Sequence, residues 1–170
     1  MRWSGGIGYV CKFAGVVAIA FVLAACSRQG TPKQYGLGGE GPATPGTERD
    51  FAVNVGDVVH FTVDSWSLTG EAQGILRNQA RWLNQYPQYT ITIEGHADER
   101  GTREYNLALG AKRATSVRSF LASQGVNAPR IRTVSYGKER PVATCDDISC
   151  WSQNRRAQTV LNNRAVARGY

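Results

Sequence analysis

This chain is short of histidine, methionine and long apolar runs, and each shortage narrows what it does. Its 170 residues include two histidines, His60 and His96, a single methionine and four cysteines. There is no His-Glu-x-x-His pair, no Cys-x-x-Cys and no zinc-finger spacing. A Gly-x-Ser-x-Gly elbow and a credible cysteine nucleophile are missing as well. An enzyme would have to work through Asp64, Asp98 and Glu99 as acid and base, or through His96 and Asp98 as metal ligands, which is a thin set. A binding protein is the expectation, with no catalytic residues, no metal and no cofactor. The apolar run at residues 13–23 falls short of the roughly 20 residues that span a bilayer. Acidic residues are outnumbered 13 to 20. Such an excess suits an anionic surface, whether nucleic acid, lipid headgroups or cell-wall polymer. No basic run interleaved with aromatics is present, which argues against nucleic acid.

What is present at the N-terminus is a targeting segment. Arg2 and Lys12 precede the apolar run, and small residues follow it at Ala24 and Ala25. Leu23-Ala24-Ala25-Cys26 resembles the lipobox of bacterial lipoproteins, which implies cleavage after residue 25 and lipidation of Cys26. Ser27, in place of the Asp that retains such proteins at the inner membrane, implies the outer membrane. Acyl chains on Cys26 would anchor the protein without a span. Residues 26–50 are rich in Gly, Pro, Thr and Ser and read as a flexible tether. Residues 51–170 then form one domain. Without Arg2 and Lys12, 18 basic residues face 13 acidic ones. Cys145 and Cys150, exported with the domain, are expected to form a disulfide in an oxidising compartment, with a metal half-site or redox pair as the alternatives.

Within the domain, residues 58–63 are β-branched and aromatic and predict a first strand. Apolar residues at Ala72, Leu76, Ala80 and Leu83 predict a helix over 71–86, stopped by Pro87. Residues 89–94 alternate as a strand, 103–124 form a second helix closed by Gly125, and 130–136 and 157–161 are two further strands. The order βαβαβ-β, with an irregular cysteine loop before the last strand, predicts an open α/β sandwich: a mixed sheet with helices packed on it.

One stretch conflicts with simple burial, GHADERGTREYNLALGAKRA at residues 95–114. Leu109, Arg113, Val117 and Leu121 lie four apart on one face of the second helix, with Asn106 beside them. Arg113 therefore emerges from the side that packs on the sheet, where an unpaired guanidinium is costly. Asp98, in the loop before the helix, is the candidate partner. Either the two form a structural salt bridge, or both face a pocket, Asp98 taking an ammonium group and Arg113 a carboxylate. Asp64 ends the first strand at the same sheet edge and would join that pocket. Glu99, Arg100, Arg103 and Lys112 are expected on a solvated loop and face. Trp66, Trp82 and Trp151 are expected in packing, and His96 as a hydrogen-bonded loop residue.

IEGHADERGTREYNLALGAKRA, with SYGKERP at 135–141 and WSQNRRA at 151–157, resembles the OmpA-like family of peptidoglycan-binding domains. The likeness covers residues 55–161 and is closest to the form carried by lipoproteins of the Tol-Pal system. It implies non-covalent binding of peptidoglycan through the meso-diaminopimelate of the stem peptide. On the matching positions Asp98 takes the amino group, Arg113 takes the carboxylate, Asn106 fixes the loop and helix start, and Asp64 lines the other wall. Where the family often has an aromatic residue before that Asp, this chain has Val63, with Trp66 two residues beyond Asp64. The resemblance also implies TolB as a periplasmic partner, and a role in holding outer membrane to wall during cell constriction.

Overall fold

A computed structural model describes residues 43–162. The expected targeting segment, Cys26 and most of the expected tether lie outside the described residues. Chain order is α1 (Glu48–Asp50) running into a π-helical turn (Phe51–Val55), β1 (Val58–His60), α2 (Gly70–Gln85), β2 (Thr90–His96) and α3 (Arg103–Ser123). A 3-10 turn (Ala128–Arg130), β3 (Ile131–Gly137), α4 (Ile148–Asn154) and β4 (Arg156–Asn162) complete it. Helix starts are set by hydroxyl caps. Thr69 accepts from the Ala72 amide and Thr102 from the Tyr105 amide, each supplying an acceptor to an otherwise unpaired first-turn N–H. Glu71 and Glu104 sit in the positive first turns.

The sheet has the order β1-β4-β2-β3. β2 and β3 are parallel, while β4 runs antiparallel to both β1 and β2. β1, β2 and β3 therefore share one direction, and their carboxyl ends share one edge. The last strand inserts between β1 and β2, and its alternate residues Ala157 and Thr159 are buried opposite Gly95 and Ile93. Val59, Leu76, Leu83, Ile91, Ile93, Val117 and Leu121 lie in one core between sheet and helices. A mixed open sheet with helices packed on it is what the strand and helix pattern predicts.

Three local features differ from expectation. First, β1 stops at His60, because the carbonyls of Thr62 and Ser65 turn inward to meet Arg113. Second, the end of the expected tether belongs to the domain: Asp50 is buried, accepting from Trp82 Nε1 at 2.8 Å, Asn54 at 2.8 Å and Gly46 N at 2.9 Å. Tyr89 adds a hydroxyl bond to Gly46 O at 2.8 Å. A polar composition hid this anchor, since its energy comes from one buried carboxylate and from Phe51 packed on Trp82. Third, the expected cysteine loop contains α4, capped by Asp147. Cys145 and Cys150 form a disulfide with Cα atoms 5.6 Å apart, at the start of that helix.

Close approach of α3 to the sheet depends on two glycines. A Cβ on Gly95 would stand 1.9 Å from Gly110 O, and one on Gly110 would stand 2.4 Å from Ser135 Oγ. The obstacle at Gly95 is backbone, which cannot swing aside. Gly95→Ala is expected to cost about 3 kcal/mol or more, as overpacking against rigid neighbours does. Urea unfolding measures it, and a loss below about 1 kcal/mol would show that α3 can lift from β2 freely.

Candidate functional site

Loops at the shared carboxyl edge of β1 and β2, together with the start of α3, enclose a cleft of about 260 Å³. Asp64, Asp98, Asn106 and Arg113 all line it, along with Val63, Arg100, Gly101, Tyr105 and Leu109. The helical phase that placed Arg113 and Asn106 inward holds, as both are buried.

Arg113 is fully buried, and its partners are backbone carbonyls. Nε donates to Ser65 O at 2.8 Å, Nη1 to His96 O at 2.7 Å and Nη2 to Thr62 O at 3.2 Å. These leave two of the five guanidinium hydrogens for another acceptor. Among the described residues no carboxylate lies within 4.0 Å of its nitrogens, so the salt bridge to Asp98 is not formed. Burial lowers its pKa to about 10, with the nearby Arg155 charge adding to this and Asp98 and Asp64 opposing it. Arg113 thus stays charged at neutral pH with its charge uncompensated by direct contact.

Asp98 pairs elsewhere. Oδ1 accepts from the Arg100 amide at 3.2 Å and from Arg100 Nε at 3.1 Å. Oδ2 accepts from Arg100 Nη2 at 2.7 Å and Arg155 Nη1 at 3.4 Å. Burial alone would raise this carboxyl; hydrogen bonds from Arg100 and Arg155 and the Arg100 charge outweigh it and hold it below its ordinary value. Arg100 is exposed, as expected, and Asp98 recruits its guanidinium through a short turn. Its guanidinium also sits 4.2 Å from the Trp151 ring centroid. Glu99, expected to be solvated too, accepts from Trp151 Nε1 at 2.9 Å. All four of that group are exposed: Arg103 pairs with exposed Glu139, and Lys112 lies 4.2 Å from the exposed Trp66 ring.

Supporting contacts fix the loop. Asn106 Nδ2 donates to Arg100 O at 2.7 Å, and Lys138 Nζ to Glu99 O at 3.0 Å and Gly101 O at 2.7 Å. Asp64 has φ 52°, a left-handed value that Asp tolerates better than most residues, and accepts from the Tyr105 hydroxyl. Sequence reasoning missed Arg155, whose Nε also binds Phe61 O at 3.1 Å. Its one signal was an Arg-Arg pair at the start of a strand whose next residues are buried.

His96 also departs from expectation. It is 1% exposed, packs on Tyr136, and among the described residues neither ring nitrogen has a hydrogen-bond partner. Burial first, then the charges of Arg156 and Arg140, push its pKa down to about 4 from 6.5, although Glu94 lies 3.8 Å away. Between those values the unfolded chain binds a proton that the folded chain refuses, so stability falls as pH drops from 6.5 towards 4. His96 is expected to account for about 3 kcal/mol of that loss. Because His60 is shifted in the same direction, the measurement is a comparison of urea unfolding at pH 7 and pH 4.5 for wild type and His96→Phe. Equal pH dependence in the two proteins would contradict it.

A family model described as the OmpA family matches residues 60–162, which contain every residue that lines the cleft. A peptidoglycan-associated lipoprotein of Agrobacterium fabrum is 61% identical over 154 residues, covering 88% of this chain and 87% of its own. Another of the same name from Mesorhizobium japonicum is 61% identical over 163 residues, covering 93% of this chain and 97% of its own. The crystal structure of the peptidoglycan-associated lipoprotein from Burkholderia pseudomallei superposes with a TM-score of 0.61 at 47% identity, covering 62% of this chain and 90% of that one. On this similarity the chain belongs to the OmpA family and, within it, to the peptidoglycan-associated lipoproteins.

Proposed function

We propose that this lipoprotein holds peptidoglycan non-covalently, by clamping the meso-diaminopimelate side chain of the stem peptide in the cleft beside Arg113. One observation carries the reading: a fully buried guanidinium that has, among the described residues, no carboxylate partner and two hydrogens without an acceptor faces the same cleft as two aspartates. A buried cation in that state is poised for a carboxylate, and guanidinium geometry accepts one in bidentate fashion. Asp98 supplies the opposite charge for the amino group of the same ligand, and Asp64 lines the facing wall. Asn106 keeps the loop at the right distance from the helix.

The wider role we propose rests on the resemblance of the N-terminal segment and the domain motifs. Cys26 carries the lipid, the outer membrane holds it, the stretch between Cys26 and Gly46 supplies the reach, and the domain faces the periplasm. TolB and the rest of the Tol-Pal system are its protein partners, and its work is to keep the outer membrane on the wall during constriction. Binding, with no turnover, is all that this role requires.

Sedimentation with insoluble sacculi tests the clamp. Wild-type protein is expected in the pellet, and Asp98→Ala and Arg113→Ala in the supernatant, with binding weakened at least about tenfold, as removal of one partner of a buried charged contact does. Arg113→Lys, which keeps a charge in the core, guards against a folding artefact, and circular dichroism verifies all variants. Folded variants that pellet like wild type would end the clamp reading. Release of soluble wall fragments would point to a hydrolase.

A further inference from the structure

We propose that Arg100 is a displaceable stand-in for the ligand's ammonium group: it occupies the Asp98 carboxylate, has to leave it before an amine can bind, and so sets the affinity and amine requirement of the cleft. This rests on the clamp reading above.

Three of the four hydrogen bonds to Asp98 come from Arg100, two of them from its guanidinium at 3.1 and 2.7 Å. A carboxylate engaged side-on in this way has little capacity left for a further strong donor. The partners differ in freedom. The Asp98 side chain is 10% exposed and Arg155 8%, whereas Arg100 is 42% exposed. Arg155 is held at a second point by Phe61 O, but among the described residues the Arg100 guanidinium has no hydrogen bond except those to Asp98.

Displacement needs no backbone change. Arg100 O is fixed by Asn106, and the carbonyls on either side of it, from Glu99 and Gly101, are fixed by Lys138. Only the side chain has to swing, and the Trp151 face 4.2 Å away stabilises the cation while it does so. Trp151 is in turn oriented by its bond to Glu99. An amine exchanged for Arg100 on Asp98 keeps the local charge count, since one cation replaces another. A ligand carrying only a carboxylate gains nothing from the exchange and meets Arg113 with Arg100 still in place.

If Arg100 covers Asp98 for all but about a tenth of the time, its removal tightens binding about tenfold. The probe is the tripeptide L-Ala-γ-D-Glu-meso-diaminopimelate, titrated calorimetrically into the full chain in detergent, beside an analogue without the distal amine. Arg100→Ala is expected to bind the tripeptide about tenfold more tightly than wild type and the analogue no better. Arg100→Gln, which keeps some of the bulk, is expected to behave alike. Unchanged or weaker tripeptide binding by both variants, or an equal gain on both ligands, would overturn the proposal. Asp98→Asn and Arg113→Lys separate the two readings. If they lose the tripeptide while Arg100→Ala gains nothing, only the stand-in fails; if they bind it like wild type, the clamp fails and the stand-in with it.

Discussion

The buried guanidinium of Arg113 is the contact on which the cleft depends. Taking an unpaired cation out of water costs several kcal/mol unless its hydrogens are met. Here three of the five are met by carbonyls from two separate segments, Thr62 and Ser65 after β1 and His96 at the end of β2. Those segments are thereby tied to one point on α3, and the space left between them is the cleft. The same demand explains why β1 is short: carbonyls turned towards Arg113 cannot also pair with β4. Carbonyl dipoles spread the charge without neutralising it, so a guanidinium held this way keeps its attraction for an anion.

Around Asp98 the balance is the reverse. Its charge is met by two arginines, one held firmly and one loosely, and the firm one arrives from the far end of the domain. Arg155 follows α4 directly, so the short helix acts as a mount. The Cys145–Cys150 disulfide fixes its first turn, and Asn154 at its end accepts from the Val142 and Ala143 amides and donates to Ala143 O. A helix of seven residues has little intrinsic stability, and these cross-links replace what its length cannot supply.

This division also marks what could be read from the sequence. The α3 row Leu109, Arg113, Val117, Leu121 was legible because periodicity depends only on neighbours along the chain. It identified a charge on the buried side before any partner was known, and it brought Asn106 with it. The partner itself was not legible. A carboxylate fifteen residues away looked like the natural mate for Arg113, yet backbone carbonyls, which every residue carries and no pattern marks, took that place. Arg155 and Asp50 were hidden for a similar reason. Each makes its contacts across long stretches of chain, 57 residues to Asp98 in one case and 32 residues to Trp82 in the other. Composition around Asp50 suggested a tether, and two long-range bonds, Trp82 to Asp50 and Tyr89 to Gly46, reassigned the last part of it to the domain.

That reassignment bears on how the domain carries load. The segment from Gly46 to Phe51 packs on Trp82, Tyr86 and Tyr89, at the edge where β2 begins. The cleft lies at the opposite edge, where β1 and β2 end. A seven-residue strand separates the two by about 20 Å. If the tether is membrane-held and the cleft wall-held, as proposed, tension between them runs along the strands, and the ladders joining β2 to β3 and β4 are loaded together in shear. Peeling one strand from the edge would break its bonds singly; shear requires many to yield at once. Were the chain to enter beside the cleft, the same tension would bypass the sheet and fall on the 97–102 loop. On that proposal, the Asp50–Trp82 contact places the pull along β2, an inner strand paired on both sides, with Arg113 at the cleft at its other end.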